Sequence, residues 1–236
     1  MTEELFRTDS YLELCEASVV SADANGIELD RTVFYPIGGG QPGDQGILKL
    51  NGCEEIDIID CYKDRDTGKH FHIPAANSLL PSPGDDVTAI LSWKRRHRLM
   101  RMHTCLHLLC ALIEGGVTGG QVGEWKSRLD FDLGDNSLDK EQLNTELNRL
   151  IEDGHQVVQS SIRSEELSSN PELVRTMSVR PPTGSGDVRV IKIADVDIQP
   201  CGGTHVNKTT EIGRVRVGKI ENKGKHNRRV NVHLEE

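Results

Sequence analysis

The stretch WKRRHRLMRMHTCLHLLCALIEGG, residues 93–116, decides the architecture. It contains no proline and stops on paired glycines, a helix-ending signal. Within it Leu99, Met102, Leu106, Leu109 and Ile113 recur at spacings of three and four, which predicts an amphipathic helix. Upstream of Trp93 the pattern is different. Short β-like runs alternate with turn signals: Asn25-Gly26 before IELD, a glycine cluster from Gly38, Asn51-Gly52, then PSPGDD before VTAIL. These predict a small antiparallel β-barrel domain over residues 1–91 and a second domain over 92–236. In the second, RLDFDL reads as a strand, and NSLDKEQLNTELNRLIEDG as a helix capped by Asn136 or Ser137 with Leu143, Leu147, Leu150 and Ile151 on one face. HQVVQSSIR, DVRVIKIADVDI, EIGRVRVGKIEN and NRRVNVHLE alternate as strands. The expected class is α+β, a barrel followed by helices beside an antiparallel sheet.

The chain has 236 residues, above the common single-domain size of about 100–150, so two cores are affordable. With 36% hydrophobic and 28% charged residues it is polar, yet its periodic apolar runs exclude disorder. No apolar run approaches the ~20 residues that cross a bilayer, and MTEELFRTDS lacks the basic and apolar regions of a signal peptide, so a cytoplasmic protein is expected. Cysteines 15, 53, 61, 105, 110 and 201 show no framework spacing, which favours buried reduced thiols or metal ligation over disulfides. The net charge of −9 argues against broad adhesion to nucleic acid. Basic residues nevertheless cluster in two places, Lys94–Arg101 and Lys219–Arg229, which read otherwise as solvated faces.

The chemistry concentrates in two short motifs. His103 and His107 stand four apart on the predicted helix, which puts both imidazoles on one face within reach of one ion. Cys201 and His205 repeat that spacing in QPCGGTH, where Pro200 and two glycines replace a helix by a tight loop leaving a strand. One thiolate and three imidazoles form a tetrahedral set suited to Zn2+, whereas magnesium or calcium would ask for oxygen ligands. Cys105 lies two positions past His103, turned about 200° away, and reads as core. HTCLH lacks the glutamate of a metalloprotease HExxH motif, which disfavours peptide hydrolysis. The glycines from Gly38 to Gly46 lack the lysine and spacing of a phosphate-binding loop. Gly38, Gly39 and Gly40 therefore read as a shaped turn at the domain junction, with Gln41 and Asp44 as inter-domain hydrogen-bond partners.

HTCLHLL, QPCGGTH and TEIGRVRVGKIENKGKHNRR together resemble the editing domain shared by alanyl- and threonyl-tRNA synthetases, and FYPIGGGQPGDQG at residues 34–46 resembles the glycine-rich motif of the alanyl-type members. Nearly the whole chain is similar to the medium-length, free-standing alanyl-tRNA editing proteins of the AlaX family. That resemblance implies a translation-factor-like barrel, a zinc site at His103, His107, Cys201 and His205, and hydrolysis of the ester joining serine, or glycine, to alanine-specific tRNA. It places the polar residue beside the substrate at Gln121, and Thr204 is a second candidate for hydrogen bonds to the substrate or attacking water, each equally readable as shaping its loop. Cys105 and Pro200 depart from the residues usual in the family, and neither is a ligand. The partner implied is mischarged tRNA, with Arg95, Arg96, Arg98, Lys223, Lys225, Arg228 and Arg229 as phosphate contacts. A bound zinc would polarise the ester or activate water, although four protein ligands close its shell and leave a positioning role open. Two other readings stand beside this one: editing of serine on threonine-specific tRNA, and a non-catalytic tRNA-binding module with structural zinc. The oligomeric state is left open, with a monomer as the working expectation.

Overall fold

Alternation of inward apolar and outward polar side chains builds the N-terminal part of the chain. In this computed structural model, which describes residues 1–50, 54–134, 136–169 and 187–235, the chain divides into units Met1–His97 and Arg98–Glu236. In the first unit β1 (Glu3–Glu4) pairs in parallel with β4 (Arg31–Thr32). Six further strands, β2 (Leu14–Asp23), β3 (Gly26–Leu29), β5 (Gly46–Leu50), β6 (Glu55–Lys63), β7 (His70–Pro74) and β8 (Asp86–Leu91), close an antiparallel barrel in the order β2-β3-β7-β6-β5-β8. Val87, Ala89 and Leu91 of β8 point inward, as do Cys15, Ala17 and Val19 of β2. In β6 the inward set switches from Ile56 and Ile58 to Cys61, because a register shift between Ile58 and Asp60 adds a residue to that strand. Gly46 is required where β5 runs against β8, since a Cβ there would collide with the Ile90 carbonyl. The expected Asn51-Gly52 turn lies outside the described residues, as does Cys53.

Helix α1 spans Trp93–Leu112. Its burial is wider than the single face expected: Met100, Cys105, Leu108 and Cys110 are buried as well as Leu99, Met102, Leu106 and Leu109. The helix is a core element, and a stripe pattern understates that. The second unit continues with β9 (Gly116–Gln121), β10 (Lys126–Asp132), α2 (Lys140–Glu152), β11 (Val157–Arg163), α3 (Ser164–Ser169), β12 (Asp187–Ile193), β13 (Asp197–Pro200), β14 (Val215–Asn222) and β15 (Asn227–Leu234). A four-stranded sheet runs β14-β15-β10-β9 and a three-stranded one β11-β12-β13. The segment expected as one strand, DVRVIKIADVDI, is a hairpin, turned at Asp195 with its φ of 58°. α2 starts later than expected, because Asp139 and neither Asn136 nor Ser137 accepts the free N–H groups of Glu141 and Gln142. Its Asn144 and Asn148 side chains bond the backbone of Val215 and Val217, covering the otherwise unpaired edge of β14. Among the described residues no helix is long and apolar enough to cross a membrane.

Candidate metal centre

One turn of α1 carries His103 and His107, and the loop that leaves β13 carries Cys201 and His205. Their four donor atoms lie within 4.8 Å of one another. The Cys201 sulfur is 3.5 Å from His103 Nε2 and 3.2 Å from His205 Nε2. A tetrahedron with zinc bonds of about 2.0–2.3 Å has edges of roughly 3.3–3.7 Å, so these spacings fit. The three imidazoles are buried and the cysteine is partly exposed.

The surroundings fix which ring nitrogen faces the centre. Thr104 Oγ donates back to the Met100 carbonyl at 3.0 Å, so at 3.1 Å it accepts from His205 Nδ1–H and leaves Nε2 for an ion. His107 Nδ1–H donates to Asp197 Oδ2 at 3.3 Å, and Gln199 holds that same carboxylate oxygen from 2.8 Å. Carboxylate and hydroxyl partners of this kind orient metal-binding histidines. Arg189 shapes the loop by donating to the carbonyls of Cys201 at 2.6 Å and Gly203 at 2.9 Å. Pro200 is accommodated because β13 is an edge strand, where a missing N–H costs nothing.

Electrostatics favours a cation here. Burial alone would raise the Cys201 thiol, but His103 and His205 bring it well below its ordinary value, toward thiolate. Burial, followed by repulsion from His103, lowers His205 to about 3. Burial opposes charge on His107, yet its bonds to Asp197 and Cys201 raise it to about 9. A divalent ion replaces the protons that such a cluster shares. Cys61, His70 and His72 form a second buried group in the barrel. There His72 spends Nε2 on the Thr32 hydroxyl at 2.7 Å and Nδ1 on the Ile27 carbonyl at 3.0 Å, so it serves the core.

The other residues singled out in the sequence lie as follows. Gln121 is exposed at the end of β9, opposite Arg128, and Thr204 is wholly buried beside His205. Gly38 to Gln41 close a tight turn in which Gly39 and Gly40 have φ of 57° and 81°. Gln41 and Asp44 are buried, and Asp44 receives the Tyr35 N–H at 2.6 Å and the Arg96 guanidinium, all within the first unit. The phosphate-contact role expected for Arg96 does not hold. Only 1% of it is exposed, and its donors go to Asp44, the Ser10 carbonyl and the Val33 carbonyl. Arg95 donates to the Gly43 carbonyl, and Arg98 lies over the Trp125 ring. Lys223 pairs with Glu221, Arg229 with Asp130, and Arg228 folds onto carbonyls of its own turn, while Lys225 is exposed. Asp197 and Thr104 escaped the sequence reading. The buried start of β13, where Asp197 stands four residues before Cys201, is the signal that could have found the first.

A barrel is followed by an α+β unit whose His/Cys cluster is split between a helix and a loop, and the family matches put this arrangement in a synthetase-related class. Residues 188–231 match the family described as "Threonyl and Alanyl tRNA synthetase second additional domain", and residues 9–95 match "tRNA synthetases class II (A)". The chain is 35% identical to Alanyl-tRNA editing protein AlaX-M of Methanosarcina acetivorans and 34% identical to that of Saccharolobus solfataricus, with 98% of each chain covered in both cases. It is 31% identical to Alanine--tRNA ligase of Saccharolobus islandicus over 93% of this chain and 25% of that one. The chain belongs to the AlaX family of alanyl-tRNA editing proteins.

Proposed function

We propose that this chain is a trans-editing deacylase, one that hydrolyses the ester of serine, and of glycine, on alanine-specific tRNA. The observation that carries this reading is the convergence of His103, His107, Cys201 and His205 on one point, in a chain matched end to end by alanyl-tRNA editing proteins. The donor set suits zinc, which when bound supplies a Lewis acid for the ester carbonyl. The chain's own residues do the rest. Asp197 and Thr104 hold His107 and His205 in the tautomers that present Nε2. Cys201 is the partly exposed member of the cluster, so the substrate approaches on its side. Gln121 is exposed and therefore open to a substrate hydroxyl, whereas Thr204 is wholly buried, which favours Gln121 as the polar group that meets the substrate. Serine is told from alanine by one hydroxyl, and a pocket that bonds this hydroxyl rejects alanine by leaving its own polar groups unpaired.

The test compares hydrolysis of Ser-tRNA(Ala), Gly-tRNA(Ala), Ala-tRNA(Ala) and Ser-tRNA(Thr). The first two should be cleaved. His103→Ala and Cys201→Ala should abolish cleavage while tRNA affinity and circular dichroism stay near wild type. Faster cleavage of Ser-tRNA(Thr) would make this a threonine-side editor. Tight binding without any turnover would make it a tRNA-binding module.

A further inference from the structure

A trans peptide group is planar, and its N–H points opposite to its C=O. Fixing a carbonyl therefore aims the N–H of the next residue. In the loop that leaves β13 one nitrogen of Arg189, Nη1, donates to the carbonyls of both Cys201, at 2.6 Å, and Gly203, at 2.9 Å. The N–H groups of Gly202 and Thr204 consequently point away from the guanidinium. Between them, the Gly203 N–H donates to the Cys201 sulfur at 3.4 Å. These three consecutive donors have different fates. That of Gly203 is spent on the sulfur, and Thr204 is wholly buried. Gly202 is exposed, and among the described residues no acceptor takes its N–H.

Covalent geometry keeps this donor beside the cluster. Gly202 N is joined to Cys201 Sγ through Cα and Cβ of Cys201 and its carbonyl carbon, so the two atoms stay within about 5 Å of each other. Cys201 is the partly exposed member of the group formed with His103, His107 and His205, and the exposed Gly202 follows it directly. The fold itself does not call for glycine at this position. Its φ lies outside the left-handed region, and a Cβ there would meet nothing within 4 Å. What the missing side chain does provide is close access to the backbone for a bound molecule.

We propose that the Gly202 N–H, aimed by Arg189, is the oxyanion donor for ester hydrolysis at this site. This rests on the deacylase reading given above and adds the group that meets the ester's carbonyl oxygen. In the step it serves, a water oxygen bonds to the ester carbon and loses a proton to the surrounding water, while the π pair of the C=O moves onto the carbonyl oxygen. When that pair returns, the bond from carbon to the ribose oxygen breaks. The ribose oxygen takes a proton from water, leaving a free amino acid and a 3′-hydroxyl. Negative charge on the carbonyl oxygen is greatest between the two events, where a fixed N–H stabilises it most. Arg189 touches no substrate and is a positioning residue.

The test puts glycolic acid in place of Gly202 in the intact, metal-loaded protein, which exchanges the N–H for an oxygen and adds no side chain. For Ser-tRNA(Ala), kcat should fall about 100- to 1,000-fold, with KM and metal content near wild type. A second readout needs no turnover. Wild type should bind tRNA(Ala) ending in a tetrahedral phosphonate analogue of serine more tightly than tRNA(Ala) carrying serine through a planar, unreactive 3′-amide. Glycolic acid should erase most of that preference. Arg189→Lys keeps the Gly202 N–H but loses the guanidinium that holds both carbonyls, and it should lower kcat and the phosphonate preference together while amide affinity stays. An unchanged phosphonate preference in either protein, or a kcat within about threefold of wild type, would overturn the proposal. Failure of the underlying reading looks different: wild type itself would then cleave no mischarged tRNA. Cleavage by wild type and glycolic acid protein at one rate removes the Gly202 role alone.

Discussion

Asp197 touches the candidate centre only through His107, and single-residue effects there separate positioning from ligation. Asp197→Asn keeps size and removes the charge that holds Nδ1–H, so zinc affinity should fall about 10- to 100-fold in competition with a chromophoric chelator. A change below twofold would mean that His107 is oriented by packing alone. Arg96 makes the opposite point. Its guanidinium and the Asp44 carboxylate are both buried, so Asp44→Ala leaves an uncompensated charge and should cost about 3–5 kcal/mol in urea unfolding. tRNA affinity of any variant that still folds should be unchanged, since neither group reaches solvent. A run of five basic residues in a sequence cannot tell the one that folds inward from its neighbours. The distinguishing fact, an aspartate on a loop fifty-two positions earlier, is tertiary.

At the scale of elements, α2 shows what local chemistry fixes. Its apolar spacing names the buried face correctly, and Leu143, Leu147, Leu150 and Ile151 are all inside. Its start was harder to read because Asn136, Ser137 and Asp139 are all able caps, and only the backbone path selects one. Asp139→Ala should therefore cost about 1 kcal/mol by thermal denaturation, whereas Ser137→Ala should cost little. The barrel and both histidine and cysteine motifs were legible, since alternation, turn residues and ligand spacing are local. β9 was not, because its GVTGGQ sequence carries three glycines, residues depleted from strands, and it is held by pairing to β10. The β12–β13 hairpin hid for a related reason: its turn uses Asp195 in a left-handed conformation without glycine.

For the molecule as a whole, His72 links barrel stability to pH. Burial, then repulsion from His70, lowers it from 6.5 to about 3, so the unfolded chain binds its proton more readily. Its contribution is therefore complete above about pH 6.5 and lost as pH falls toward 3. Urea midpoints of wild type should decline between pH 6.5 and 4.5, and His72→Gln, less stable at neutrality, should show a flatter decline there. Equal slopes would contradict the burial argument. Chelation should act elsewhere, lowering the stability of the Arg98–Glu236 unit, measurable by hydrogen exchange of α1 and β12 amides. The division of the four donors between chain positions 103–107 and 201–205 also has a consequence in time. On the ribosome every barrel strand is complete by Leu91, before the first histidine ligand has been added. At about 5–20 residues per second the hundred residues that follow take roughly 5–20 s, an interval during which the barrel is free to fold while half of the candidate site does not yet exist. If the cluster takes a metal, loading is thus a late event in the life of each nascent chain, and a chain cut short in the middle of the message would carry every barrel strand and only half of the donors.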